Sequence, residues 1–274
     1  MQIDSMEQWI NHHIKSRTLM TEKSVILDIG AYHGDFTSCL LSSDIEKAIL
    51  FEANQDNFDL LENTFKNNEK VKVVKSAIGD REGELQFYCD NDLATGSILP
   101  YQYKSDDASD VKQQRVKLTT IDAYFTQNPL FQPIALIKTD TQGNDLNVLK
   151  GAEQIIKSHR PWIVIELIFV PLYKNQGNPH EIASWLAKQG YTQSGMFNIH
   201  YTADGWMAFA DGIFIPDEIT QSFEMSFHMN PSNAELIAEN IMLKNACEER
   251  LQLINRLHLE ANPPIIKAKD NTVD

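Results

Sequence analysis

Two short stretches concentrate the residues able to do chemistry. In VILDIGAYHGDF, Asp28 stands near the end of an apolar run, and Gly30 and Gly34 lie in the turn that follows. Glycines there let the backbone approach a ligand closely, and the helix start beyond them offers free N–H groups. Glu52 closes the next apolar run, AILFE, 18 residues beyond Gly34. In an open α/β sheet both places lie at the carboxyl ends of strands, where ligands bind. An acid there accepts hydrogen bonds from both hydroxyls of a ribose, so the pair of features calls for a nucleoside-like ligand. The dinucleotide fingerprint GxGxxG is broken at its second glycine by Tyr32, which disfavours pyrophosphate at this turn, and no GxxxxGK[ST] occurs.

The second stretch is LIKTDTQGND. Lys138 and Asp140 are two apart and face one side of a strand, with Asp140 at its ligand-bearing end. Gln142-Gly143 makes the turn, and Asp145 is placed to cap the helix that follows. A lysine in an apolar strand is costly unless paired or functional. Glu166, inside WIVIELIF, is the expected partner. Asp140 could take a proton from a substrate hydroxyl, and Lys138 could stabilise the developing alkoxide. Burial would depress the lysine pKa, which makes Lys138 an alternative base. His33 in the first turn is a further candidate base, unless it is a surface histidine.

Other residues point less sharply. A metal site through Asp140, Asp145 and Glu166 is conceivable, but nothing requires one. His12-His13 reads as an exposed pair, and Asp106, Asp107 and Asp110 lack the spacing of a calcium loop. Ser97, Tyr101 and Tyr103 could meet a sugar ring, while Tyr173 and Trp206 fit the core equally well.

Elements of two kinds must position these residues. Apolar runs at 25–29, 48–51, 71–74, 116–118, 135–139 and 162–168 alternate with helical periodicity at 36–41, 58–65, 145–157 and 180–189, which predicts βαβ units and a parallel sheet. Gly205–Ile215 supplies the closing strand. Met6, Trp9, Ile10 and Ile14 mark a leading helix within 1–22. The core domain spans 23–216, a helical extension 217–262 and a tail 263–274. Residues 84–88 alternate as a half-exposed strand, and 90–115 read as a structureless lid or binding loop. At 232–259, Leu236, Leu243, Cys247, Leu251, Ile254 and Leu257 form an apolar stripe suited to self-association, to a partner protein or to docking on its own domain.

The 274 residues carry a net charge of −14, which opposes nucleic acid and anionic lipid as partners. Three scattered cysteines give neither a zinc pattern nor a disulfide framework. No signal peptide or membrane span is evident, and a cytoplasmic location is expected.

A D-x-G-x-x-x-G turn with an acid ending the next strand resembles S-adenosylmethionine enzymes of the Rossmann-like class. The ordered series DIGAYHG, FEANQDNFDLLENTFKNN, KSAIGDREGELQF, VKLTTID, LIKTDTQGNDLNVLKGAEQII and PWIVIEL, about residues 25–170, with DGIFI at 211–215, further resembles the FkbM-type methyltransferases. Departures are mild: Tyr32 or His33 stands where the family more often has Asn, Asn54 where it has Pro, and Asp145 where it has Glu. The resemblance implies a class I, mostly parallel seven-stranded sheet with helices on both faces. It also implies S-adenosylmethionine as methyl donor and O-methylation of a sugar, glycan or natural product. Asp28, Gly30 and Gly34 are assigned to the methionine end of the donor and Glu52 to its ribose, with Ala31 and Ala53 as further cofactor-binding candidates and, by analogy with the family, Ser76 and Ala77 at the adenine rim. Asp140, Lys138 and His33 are the catalytic candidates. An NAD or nucleotide-sugar oxidoreductase, or a silent donor-binding scaffold, are the alternatives.

Overall fold

In the computed structural model the described residues are 6, 8–10, 24–41, 45–89, 93–103 and 111–220. His12-His13, the aspartates at 106–110, the stripe at 232–259, the tail and nearly all of the extension lie outside them. So does most of the leading helix.

Seven strands form one sheet in the order β3-β2-β1-β7-β8-β10-β9. They are β1 Val25–Ile29, β2 Lys47–Glu52, β3 Val71–Lys75, β7 Ile134–Thr139, β8 Trp162–Ile168, β9 Tyr191–Tyr201 and β10 Met207–Pro216. Neighbours are parallel except around β10, which runs against both β8 and β9. This is the mostly parallel seven-stranded sheet that the resemblance implied. A second sheet, β4-β6-β5, is built from β4 Ala77–Ile78, β5 Gly83–Cys89 and β6 Lys112–Thr119.

Strand burial explains the sheet's order. All seven residues of β8 and all five of β1 are buried, as expected for central parallel strands covered on both faces. On one face Leu27, Ile29, Ile137, Ile163 and Ile165 pack against helices α3 Ile121–Gln127, α4 Asp145–Lys150, α5 Glu153–His159 and α6 Pro179–Lys188. Alternation sends Asp28 and Lys138 to the other face, toward α1 Asp35–Leu40, whose Phe36 ring lies 5.9 Å from Lys138 Nζ. A further helix, α2 Gln55–Phe65, is capped by Asn54.

Three differences from the sequence reading have local causes. The helix expected over 145–157 is two helices, broken at Gly151 and Ala152, where Gly151 approaches the Gly79 carbonyl so closely that a β-carbon would lie 1.9 Å from its oxygen. There Asp122 of α3 serves as an external cap for α5, accepting the N–H groups of Gln154 and Ile155. The 90–115 stretch is not structureless where described: 93–95 form a 3₁₀ turn, Ser97 pairs with Tyr88, and β6 begins at Lys112. Finally, β9 is an edge strand of eleven residues that alternation does not reveal, since most of its side chains are exposed.

Candidate active site

A cleft of about 170 Å³ opens at the carboxyl ends of β1, β2 and β7. Of the residues singled out in the sequence, Gly30, Glu52, Ala53, Ser76 and Asp140 line it. Asp28, Ala31, Gly34, Ala77, His33 and Lys138 do not.

The first turn is locked to both neighbouring strands. Gly30 N–H donates to Phe51 O at 2.9 Å, and Asp140 N–H donates to Ile29 O at 3.0 Å. Gly30 has φ +74°, and a β-carbon there would lie 1.9 Å from the carbonyl oxygen of Asp140, so only glycine fits. Gly34 is required for another reason than the one expected. A β-carbon on it would strike Leu61 and Phe65 of α2, so this glycine lets α2 pack on the turn and stands away from the cleft wall. His33 also turns aside: its ring stacks on Tyr32 at 3.6 Å between centroids.

Glu52 is almost wholly buried at the end of β2. Its Oε2 accepts the Tyr32 N–H at 2.9 Å and its Oε1 the Asn54 N–H at 2.8 Å. Tyr32 makes its bond with φ +51°, a backbone region that few side chains adopt. Burial raises the Glu52 pKa from 4.5 to about 7, although the N–H groups of Asn54, Tyr32 and Ala53 and the charge of Lys138 oppose it. Each oxygen retains lone-pair capacity for a further donor.

Lys138 is tied differently from expectation. Its Nζ lies 3.4 Å from Asp140 Oδ2 and 3.6 Å from Asp28 Oδ1, and it donates to Gly30 O at 3.2 Å. Glu166 acts on it only at longer range. Burial alone would lower the lysine pKa. The charges of Asp140 and Asp28, then Asp211 and Glu166, outweigh that and raise it above its ordinary value. Lys138 therefore remains an ammonium, and the reading that made it an alternative base is corrected. Asp28 is fully buried and accepts the Thr37 hydroxyl on Oδ2 at 2.7 Å.

The second turn follows β7. Asp145 does not cap α4 as its position suggested. Its Oδ1 accepts from the Thr139 hydroxyl at 2.7 Å and from Thr141 N–H and hydroxyl at 3.0 Å, while Oδ2 faces Gly143 N–H at 3.3 Å. The carboxylate braces the 139–143 turn from beneath, with a pKa raised by burial. Because its oxygens are so occupied, Asp145 does not join Asp140 and Glu166 as a metal ligand. Among the described residues no His, Cys, Asp and Glu cluster is arranged to hold a metal ion.

Gln142 stands at the centre of a hydrogen-bond network that its sequence position did not show. With φ +54° it projects its amide between strands, donating to Asp140 Oδ1 and to Glu166 Oε2, both at 3.0 Å. Its Oε1 accepts the Tyr173 hydroxyl at 2.8 Å. Burial, then the charges of Asp140 and Asp145, holds Glu166 well above the usual carboxylate range. A glutamine before a glycine signals only a turn; the network exists because β8 brings Glu166 alongside.

The outer wall comes from the small sheet and the segment after it. Phe87, Ala94, Gly96 and Ile98 line the cleft, and Ser97 Oγ donates to Gln142 O at 2.8 Å. Tyr101 and Tyr173 are buried in a satellite core with Ile168, whereas Tyr103 and Trp206 are exposed at 78% and 72%.

Residues 28–192 match the family described as the methyltransferase FkbM domain. Ribosomal RNA small subunit methyltransferase A of two Prochlorococcus marinus strains, MIT 9301 and MIT 9312, is 37% identical over 65 residues, 24% of this chain and 24% of each relative. The chain thus spans about a quarter of the length of these curated relatives. Among solved structures, the methyltransferase FkbM from Methylobacillus flagellatus KT aligns with TM-score 0.47 and 17% identity, over 70% of this chain and 44% of that one. An rRNA methylase from Streptococcus thermophilus aligns with TM-score 0.43 and 10% identity, over 79% and 99%.

Proposed function

Because the chain belongs to the methyltransferase FkbM domain family, we propose that it moves a methyl group from S-adenosylmethionine to a hydroxyl of a sugar, glycan or natural product. The observation that carries the reading is Glu52, buried in the cleft wall at the end of β2 with acceptor capacity on both oxygens. That arrangement fits a ribose diol. Phe51, Ile78, Phe87 and Ile98 add an apolar slot of the kind a purine ring fills. Asp140 and Glu52 make the wall acidic, which suits a cationic sulfonium and ammonium and opposes the pyrophosphate of a dinucleotide. The same net charge of −14 speaks against RNA as acceptor.

Bound S-adenosylmethionine supplies an electrophilic methyl group. Asp140 is the group placed to accept the acceptor's hydroxyl proton as that oxygen gains the methyl. Lys138 keeps an ammonium 3.4 Å from Asp140 and offsets the charge of Asp28 behind it. Glu52 and Gly30 hold and orient the donor, so that the reaction needs alignment and one proton transfer.

Calorimetry with S-adenosylhomocysteine, S-adenosylmethionine and NAD tests the donor, with binding of the first two expected. NAD binding in their place overturns the reading. Transfer of labelled methyl into a panel of glycans and glycosylated metabolites, read by mass spectrometry, tests the acceptor class.

A further inference from the structure

We propose that Gln142 is the positioning residue of this site: its amide holds the Asp140 and Glu166 side chains together and ties their geometry to the wall of the cleft. The inference rests on the methyltransferase reading and deepens it.

An amide has two N–H donors and one carbonyl acceptor: Asp140 and Glu166 take the donors, and the Tyr173 hydroxyl divides its single proton between Gln142 Oε1 and the Thr95 carbonyl. Asp140 Oδ1 and Glu166 Oε2 each stand 3.0 Å from Nε2, and the Tyr173 hydroxyl stands 2.8 Å from Oε1. No other side chain of this length gives that pattern. A glutamate would keep the bond from Tyr173 but lose both donors and add a third acid. The backbone confirms that the placement has a cost, since Gln142 adopts φ +54° to reach it.

Two acids this close do not both ionise readily. Glu166 is the more buried of the two, and burial with the charges of Asp140 and Asp145 pushes its pKa up. Asp145 on α4 and Asp211 on β10 bear on Glu166, Lys138 on β7 contacts Asp140, Asp28 on β1 acts on that lysine, and Tyr173 in the segment after β8 meets the Gln142 amide. Gln142 also reports on the outer wall. Its carbonyl accepts the Ser97 hydroxyl, and the Tyr173 hydroxyl that reaches its amide also contacts Thr95 O at 2.9 Å. The 93–98 segment and Asp140 are thereby joined through one residue.

The test uses Gln142→Glu, which preserves length and the Tyr173 bond, and Gln142→Gly, which suits the positive φ and removes the amide. The Glu166 carboxyl is followed by 13C NMR across pH in wild type and Gln142→Glu, a measurement needing neither donor nor acceptor. It should titrate about one pH unit or more higher in the variant, because like charge disfavours ionisation. In methyl transfer, kcat should fall roughly tenfold or more in both variants, with the acid limb displaced upward in Gln142→Glu, while S-adenosylhomocysteine affinity stays within about threefold. Wild-type kcat in either variant, or an unmoved Glu166 titration in Gln142→Glu, overturns the proposal. If wild type binds no S-adenosylhomocysteine, the methyltransferase reading falls, and the Glu166 titration still decides whether Gln142 controls the pair.

Discussion

Asp28 and Lys138 are direct partners in the parallel register of β1 and β7, and the lysine ammonium lies 3.6 Å from Asp28 Oδ1. The aspartate is fully buried, and its other oxygen is taken by Thr37. Removing one member of such a pair strands the other charge away from water, at a cost of about 3–5 kcal/mol. Lys138→Met should lose that much in urea unfolding, and adding Asp28→Asn should return part of it. A Lys138→Met protein that unfolds like wild type would show that the pair is unimportant to the fold.

Glu52 makes donor binding depend on pH. Its folded pKa of about 7 lies above the ordinary 4.5, so between these values the folded protein holds a proton that the unfolded chain has released. The stability this contributes is complete below about pH 4.5 and is lost as pH rises through about 7, amounting to about 3 kcal/mol at most. Glu52→Gln should flatten that part of the profile. Ribose hydroxyls donate to the ionised carboxylate, so S-adenosylhomocysteine should bind more tightly at pH 8 than at pH 6 in wild type. In Glu52→Ala it should bind at least roughly tenfold more weakly, through loss of two charge-assisted bonds. Equal affinity at both pH values would refute the ribose assignment.

Gly30→Ala tests the close approach of the two turns. The added methyl would meet the Asp140 carbonyl oxygen at 1.9 Å in a backbone conformation that alanine resists. The strands would have to separate at the cleft, so thermal melting should drop by several degrees and donor binding should be lost. Gly83→Ala is the control, because its β-carbon would meet nothing within 4 Å. Equal effects from the two substitutions would mean that backbone conformation alone, not the contact, makes Gly30 necessary.

The parts of the site that sequence reveals are those fixed by strand ends. Gly30, Glu52 and Asp140 each follow an apolar run, and a parallel sheet must bring such ends together. What sequence hides is set by partners distant along the chain. The protonation of Lys138 turns on how many carboxylates surround it, and burial alone suggested the opposite sign. Gly34 reads as a ligand contact in sequence, and the packing of Leu61 and Phe65 of α2 against it is visible only in the fold. Strand β9 escapes notice because an exposed edge strand need not alternate. Gln142 becomes legible only when Glu166 and Tyr173 are seen beside it.

Asp140 carries the chemical prediction. It lines the cleft, is the most accessible carboxylate in contact with Lys138, and receives N–H bonding from Gln142 on its other oxygen. Asp140→Asn keeps the shape but removes the capacity to take a proton at neutral pH. Turnover should therefore fall by roughly 10²–10⁴, the span for loss of a general base. S-adenosylhomocysteine affinity should change by less than about threefold, because that product lacks the sulfonium charge and the carboxylate assigned to the ribose is Glu52. Thermal stability should change little, since Lys138 retains Asp28 at 3.6 Å and the Gly30 carbonyl at 3.2 Å. His33 supplies the contrast: it stacks on Tyr32 and does not line the cleft, so His33→Ala should keep most of the turnover. If the two substitutions give the reverse pattern, the proton leaves through the first turn and Asp140 has only a structural part in the site.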